Sequence, residues 1–270
     1  MKLVDCKNKI KELFEKNNID LQEVNILFCE TLNCSQTDLF LKAEINKFQF
    51  KKICFYAKKR IKGQPLQKIF KRAYFFGNVL KVNKNVLCPR PETELLVEEA
   101  IKFASDKSCV LDLCTGSGAI AISIAKSSKL KVFASDISSK ALAVAKKNAK
   151  SNNATVKFVK SDMFENIKQK FDIILSNPPY IKSDDIKKLD VEVRQFDPTI
   201  SLDGGKDGLD FYRIIANNCK EYLNKNGIVL LEVGFGQSQL VKDIFEKNGF
   251  TCSIKKDYNN IERIVIGELK

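Results

Sequence analysis

The spacing of hydrophobic positions changes character along this chain of 270 residues. Through the first 70 or so, apolar side chains recur every three or four residues. This predicts helices over Leu3 to Lys16, Leu21 to Leu32, Gln36 to Ala43 and Gln49 to Ile61. No glycine precedes Gly63 and Pro65 is the first proline, so the stretch reads as a compact helical unit ending at a turn. Short apolar runs around Gly77-Asn78 and Asn83-Lys84-Asn85 then predict a β-hairpin within Ala73 to Cys88. The helical pattern returns over Glu94 to Phe103, with Glu92 or Thr93 near its start.

From Cys109 the pattern alternates. Strands are expected at Cys109 to Cys114, Lys131 to Asp136, Val156 to Asp162 and Phe171 to Ser176, with helices at Ala119 to Lys126 and Ser138 to Lys150. A long polar stretch, Ile181 to Gly208, follows and is read as a loop belonging to a substrate channel. A helix (Leu209 to Asn224), a strand (Gly227 to Gly234), a helix (Gln237 to Lys247) and a terminal strand pair around Tyr258-Asn259-Asn260 complete the chain. The fold class expected is α/β, a Rossmann-like doubly wound mixed sheet behind a small helical domain. The boundaries are 1–72 for the helical domain, 73–88 for the hairpin linker and 89–270 for the sheet domain.

Composition narrows the chemistry. Histidine is absent, which excludes mechanisms that need an imidazole base or metal ligand. The nine cysteines are odd in number and include no C-x-x-C pair, so neither a disulfide framework nor a zinc ribbon is expected, and no metal site. No run of ~18 apolar residues is present and the amino terminus alternates charge with apolar residues, so a cytoplasmic protein without a membrane role is expected. Net charge is +13, concentrated between residues 42 and 72, where eleven basic side chains face one acid, Glu44. Such a segment suits an acidic partner or a phosphate backbone, and equally a solvated helix face.

The chemistry concentrates where one strand stops. Ile173, Ile174 and Leu175 read as a strand buried on both faces, and it runs directly into Asn177-Pro178-Pro179-Tyr180. Ligands of such sheets bind beyond the carboxyl ends of the strands. The two prolines hold Asn177 extended and remove competing N–H groups. The Asn177 side-chain oxygen and the Pro178 carbonyl are thereby placed to accept both hydrogens of a planar –NH₂ group, with Tyr180 offering its ring face. An isolated Asn-Pro would signify only a turn. Four such residues after a buried strand signify a site.

The second motif, Asp112-Leu113-Cys114-Thr115-Gly116-Ser117-Gly118, links a strand to a helix amino terminus, where glycines let the backbone approach a ligand. Gly116, Gly118 and Ala121 also satisfy the dinucleotide fingerprint G-x-G-x-x-A. In either fold Asp136, ending the next strand, would hold two ribose hydroxyls; its other reading is a helix cap, which Ser138 serves equally. Asp162, in Ser161-Asp162-Met163, is placed to accept from an adenine amino group or to make a turn. The clamp decides between the rivals. Nicotinamide chemistry has no use for it, whereas methyl transfer to an amide or aromatic amine nitrogen does, because orientation and acceptors on the nitrogen's hydrogens lower the barrier without an acid or base.

At this point the sequence resembles a known family, the S-adenosylmethionine-dependent methyltransferases that modify the Gly-Gly-Gln glutamine of class I peptide-chain release factors. The resemblance spans nearly the whole chain: Gly63-Gln64-Pro65, Phe75-Phe76-Gly77, Pro89-Arg90-Pro91-Glu92-Thr93-Glu94, the Asp112 to Gly118 loop, NPPY, the Asp203-Gly204-Gly205-Asp207-Gly208 run and Glu232-Val233-Gly234 occur in that family's order. It implies a class I methyltransferase fold. Cys114, Thr115, Gly116, Ser117, Gly118, Asp136, Asp162, Met163 and Asn177 would bind S-adenosyl-L-methionine. Asn177, Pro178, Pro179 and Tyr180 would hold the glutamine amide, with Asn177, Pro178 and Tyr180 catalytic. Cys114 stands where many members carry glycine, and Met163 where an aromatic often stacks near the adenine.

The resemblance also implies a protein partner, class I release factors, with nucleic acid not required. A Gly-Gly-Gln loop is small, so the helical domain is expected to supply substrate recognition. Two other functions fit the same motifs: an adenine-N6 nucleic-acid methyltransferase, whose clamp would take a flipped base, and a binding module that kept the fold without activity.

Overall fold

The computed structural model describes residues 1–269, which fall into two compact units. The first comprises Met1–Arg72 together with Val191–Phe196. Its helices are α1 (Leu3–Glu15), α2 (Gln22–Leu32), α3 (Gln36–Leu41), α4 (Lys47–Ile61) and α5 (Leu66–Phe70). Leu3, Cys6, Ile10 and Phe14 form the buried stripe of α1, at the three- and four-residue spacing read from the sequence. They join Leu27, Phe28, Leu39 and Ile53 in one core. Ser35 with Asp38, and Asn46 with Gln49, make reciprocal capping boxes that fix the starts of α3 and α4.

Val191–Phe196 lies within the stretch read as loop, yet it is a helix of this unit. Arg60 accounts for its attachment: the guanidinium pairs with Glu23 at 2.6 Å and with Glu192 at 3.1 Å. Beside it, a side chain at Gly63 would put Cβ 2.7 Å from Val191 Cγ1, and the backbone there has φ +86°, so glycine is required twice over.

The second unit comprises Ala73–Asp190 and Asp197–Lys270. The hairpin is shorter than expected, β1 (Arg72–Phe75) and β2 (Asn78–Lys81), and residues after Lys81 add no strand to it. A 3₁₀ turn (Pro91–Thr93) leads into α6 (Glu94–Phe103). Then come β3 (Cys109–Leu113), α7 (Ala119–Ser127), β4 (Lys131–Asp136), α8 (Ser139–Ser151), β5 (Val156–Lys160) and β6 (Phe171–Ser176). The segment beyond β6 is not a structureless loop. It holds 3₁₀ turns at Ser183–Lys188 and Thr199–Ser201 and, between them, the helix Val191–Phe196, here α9. Its two limbs are held together where Ile181 N–H donates to Leu202 O at 2.9 Å and Gly204 N–H to Ile181 O at 2.8 Å. The chain ends with α10 (Asp210–Tyr222), β7 (Leu223–Glu232), α11 (Ser238–Lys247), β8 (Phe250–Lys256) and β9 (Glu262–Leu269).

The seven-stranded sheet has the order β5-β4-β3-β6-β7-β9-β8. β3 through β7 run parallel, while β9 pairs antiparallel with both β7 and β8. Strand β6 is buried on both faces: Ile173 and Leu175 enter one core cluster and Phe171 and Ile174 the other. Chain order reverses between β3 and β6, and a sheet of this kind opens its ligand crevice at that point. Among the described residues no helix is long and apolar enough to cross a membrane.

Candidate functional site

A cavity of about 360 Å³ lies at the carboxyl ends of β3, β4, β5 and β6. Cys114, Gly116, Asp136, Asp162, Met163, Asn177 and Pro179 all line it. Thr115, Ser117 and Gly118 build the loop from within instead. The Thr115 hydroxyl donates to Asp112 Oδ2, the Ser117 carbonyl accepts from Asn148 Nδ2 at 2.9 Å, and Gly118 starts α7 with φ +83°. Asn148, which the sequence did not single out, is fully buried and also clasps both backbone groups of Lys81, joining hairpin, α8 and loop. Apolar walls come from Val86, Ile137, Ile200 and Phe211, spread over four separate segments.

Asp136 is engaged before any ligand arrives. Its Oδ2 accepts from Gly116 N–H at 2.9 Å and its Oδ1 from Ser138 N–H at 2.8 Å, and burial, outweighing these bonds, raises its pKa. The helix cap belongs to Ser138, whose hydroxyl accepts from Ala141 N–H at 3.1 Å. Asp112 is completely buried, with Oδ1 lacking a partner, and desolvation lifts its carboxyl to about 7 against the bonds from Thr115 and Ala121. Cys114 adopts φ +60°, the left-handed region that favours glycine, and burial pushes its thiol up to about 12. Its Sγ lies 3.9 Å from Met163 Sδ, so two soft, polarisable atoms meet beside the cavity.

The NPPY corner is held from three sides. Pro178 and Pro179 are buried. Asn177 Nδ2 donates to Thr93 Oγ1 at 3.2 Å, and Gln237 Nε2 donates to the Tyr180 carbonyl at 3.0 Å. Gly204 and Gly208 press on the Tyr180 backbone so closely that an added Cβ would sit 2.7 Å from Tyr180 Cα or 2.4 Å from its carbonyl oxygen. That contact gives the Asp203 to Gly208 run its function here. Pro178 and Tyr180 are not among the residues lining the cavity. Burial raises the Tyr180 phenol to about 12, with Glu232 adding to the effect, so Tyr180 serves as a neutral group.

The Pro89 to Glu94 motif distributes its side chains over the same unit. Arg90 Nη2 donates to Asp197 Oδ2 at 3.4 Å, Thr93 receives Asn177, and Glu94 Oε1 accepts from Phe76 N–H at 2.8 Å. Glu232, at the end of β7, is 4% exposed and its Oε2 has no partner. Among the described residues no cluster of three potential metal ligands occurs.

Residues 91–196 match the family model described as the methyltransferase small domain. Over 275 residues the chain is 38% identical to the release factor glutamine methyltransferase of Thermodesulfovibrio yellowstonii, covering 98% of each chain. It is 42% identical over 214 residues to the release factor glutamine methyltransferase of Geobacter sulfurreducens, covering 78% of this chain and 75% of that one. Among solved structures, a methyltransferase from Pyrococcus furiosus matches with a TM-score of 0.58 over 79% of this chain and 98% of that chain, at 19% identity, a likeness of fold.

Proposed function

Because the chain belongs to the release factor glutamine methyltransferase family, we propose that it transfers a methyl group from S-adenosyl-L-methionine to the side-chain amide nitrogen of the Gly-Gly-Gln glutamine in class I peptide-chain release factors. One observation carries the reading: Asn177, the acceptor in the clamp, lines the same cavity as Asp136, Asp162 and the Cys114 to Gly116 turn. Methyl donor and methyl acceptor then share a wall.

The residues present fit the cofactor. Asp136 ends β4 with both oxygens held in place by backbone N–H groups, a rigid acceptor for vicinal hydroxyls. Asp162 and Met163, at the end of β5, supply an acceptor and an apolar contact for a base. When bound, S-adenosyl-L-methionine supplies an electrophilic methyl on a sulfonium. The protein orients the rest. Asn177 Oδ1 and the Pro178 carbonyl accept the two amide hydrogens of the glutamine, which aligns its nitrogen and favours the positive charge that develops there. The N–C bond forms as the C–S bond breaks, leaving a neutral thioether, and the cationic amide nitrogen loses one proton to solvent, so no side chain is required to be a strong base.

Incubation with methyl-labelled S-adenosylmethionine and separate acceptors tests this: whole release factor, a Gly-Gly-Gln peptide, duplex DNA and single-stranded RNA. Label confined to release factor, and mapped by mass spectrometry to the glutamine side chain, is expected. Label in nucleic acid alone, or nowhere, would overturn the proposal.

A further inference from the structure

The Asn177 amide has two chemically different ends. The oxygen accepts and the nitrogen donates, so only one of the two flips of this side chain can hold a substrate –NH₂ group. The surroundings distinguish the flips. Nδ2 donates to Thr93 Oγ1 at 3.2 Å, across 84 residues of sequence. Both Thr93 and Asn177 lie close enough to the buried Glu232 carboxylate to favour its charged form against the effect of burial. A hydroxyl that accepts from Asn177 has its own proton free to donate onward, and Glu232 is the acceptor beside it. Thr93 is 5% and Glu232 4% exposed, and the carboxylate keeps unused acceptor capacity at Oε2. The opposite flip would turn the amide oxygen towards a buried carboxylate, setting acceptor against acceptor in a low-dielectric site.

We propose that Thr93 and Glu232 are positioning residues that hold the Asn177 amide with its nitrogen towards them and its oxygen towards the substrate nitrogen. This rests on the reading of Asn177 as the amide clamp and deepens it. It also gives work to two motifs, Pro89 to Glu94 and Glu232-Val233-Gly234, whose side chains the cofactor site leaves unexplained.

The device has a pH signature. Burial raises the Glu232 carboxyl to about 7, against Thr93, Arg263 and Asn177, with Glu92 adding to the rise. The other groups facing it are Tyr180, pushed to about 12, and Tyr212, raised well above the usual tyrosine value by burial, so both stay neutral. Arg263 is paired with Asp257 at 3.1 Å. As pH falls through about 7, Glu232 gains a proton and becomes a donor itself, and its preference for the Asn177 nitrogen weakens. Turnover falls on that acid limb. Asp112 titrates in the same range, so the limb is assigned by a variant rather than by its midpoint.

The test compares the full chain with Thr93→Val, Thr93→Ser and Glu232→Gln. Calorimetric affinity for S-adenosylmethionine should stay within about twofold throughout, because none of these residues lines the cavity. Thr93→Val should slow single-turnover methylation of release factor roughly ten- to hundredfold, and Thr93→Ser, which keeps the hydroxyl, should restore most of it. Glu232→Gln should lose the acid limb near pH 7. In ¹⁵N spectra of the free chain, the Asn177 –NH₂ signals should be shifted and slow to exchange in wild type and Thr93→Ser, and ordinary in Thr93→Val. Wild-type rates in Thr93→Val, a Thr93→Ser as slow as Thr93→Val, or an acid limb that survives Glu232→Gln would each overturn the inference. The spectra need no methyl acceptor, so they judge the positioning even if wild type methylates no release factor, a result that would sink the proposed function instead. Should Thr93→Val not fold, the Glu232→Gln profile and spectrum carry the test.

Discussion

Asp136 Oδ2 accepts the Gly116 backbone N–H at 2.9 Å, so the residue proposed to hold the cofactor's ribose also shapes the loop that receives the rest of the cofactor. Asp136→Ala therefore removes two things. Loss of charge-assisted bonds to the ribose should weaken S-adenosylmethionine binding by roughly 1.5 to 3 kcal/mol. Release of Gly116 and Ser138 should also lower the melting temperature of the cofactor-free chain. An unchanged dissociation constant by calorimetry would leave Asp136 with the loop alone.

Asn177→Ala deletes the acceptor at the end of β6 without touching the buried strand. Methyl transfer should fall at least a hundredfold, about 2.7 kcal/mol or more in transition-state stabilisation, with circular dichroism unchanged. Retention of more than about a tenth of wild-type turnover, a loss below ~1.4 kcal/mol, would remove Asn177 from the centre of the reaction.

Asp112 makes stability depend on pH in a stated direction. Its carboxyl lies at about 7 in the folded chain against 3.8 for an ordinary aspartate. Between these values the folded chain keeps a proton that the unfolded chain has lost, so this group's contribution to stability declines as pH rises from about 4 to 7 and is flat above. The penalty at neutral pH is on the order of 4 kcal/mol. In urea melts without cofactor, Asp112→Asn should gain on wild type between pH 5 and pH 8. An equal difference at the two values would mean that Asp112 ionises normally.

Gly208 tests the support beneath Tyr180. Its φ of +78° and its approach to the Tyr180 carbonyl both resist a side chain, so Gly208→Ala should displace the end of NPPY or strain the Asp203 to Gly208 run. A cost of roughly 1 to 3 kcal/mol is expected, divided between stability and turnover, with cofactor affinity nearly constant. Wild-type turnover and stability together would show that Tyr180 needs no such support.

What the sequence made legible followed from period and burial. The run Ile173, Ile174, Leu175 announced a strand covered on both faces, and its two-sided burial is what the sheet shows. Two short helices escaped, α5 of 5 residues and α9 of 6, although α3, also of 6, was read; α9 buries no side chain, so no apolar face marks it in the sequence. The attachment of α9 depends on Arg60 meeting Glu192, and that of Asn177 on Thr93, pairings far apart in sequence that no local pattern encodes. The resemblance put glycine at the position of Cys114, and the φ of +60° found there, a region that glycine adopts without strain, is a physical reason for it. Thr115, Ser117 and Gly118 were grouped with the cofactor residues because the motif is contiguous; of that run Cys114 and Gly116 line the cavity, while the Thr115 hydroxyl turns to Asp112.

The basic segment between residues 42 and 72 yields the prediction on partner recognition. Lys51, Lys52 and Lys58 are exposed on α4, and Lys59 is half-buried over the Phe55 ring with Nζ 4.6 Å from its centre. Arg60 differs, since it is committed to Glu23 and Glu192 inside its own unit. Deleting residues 1–72 would cut through that unit and strand α9, so charge reversal is the cleaner test. Changing Lys51, Lys52, Lys58 and Lys59 to glutamate should leave cofactor affinity intact and slow association with an acidic release-factor surface, most at low ionic strength, because steering charges act on the on-rate and are screened over about 10 Å at 0.1 M salt. Methylation of whole release factor at low salt should drop roughly tenfold or more and converge on wild type as salt rises, while a short Gly-Gly-Gln peptide is unaffected. An equal loss for peptide and whole factor would point to damage at the site itself. No loss for either would make these lysines a solvated face, and recognition would then have to come from other surfaces of the chain.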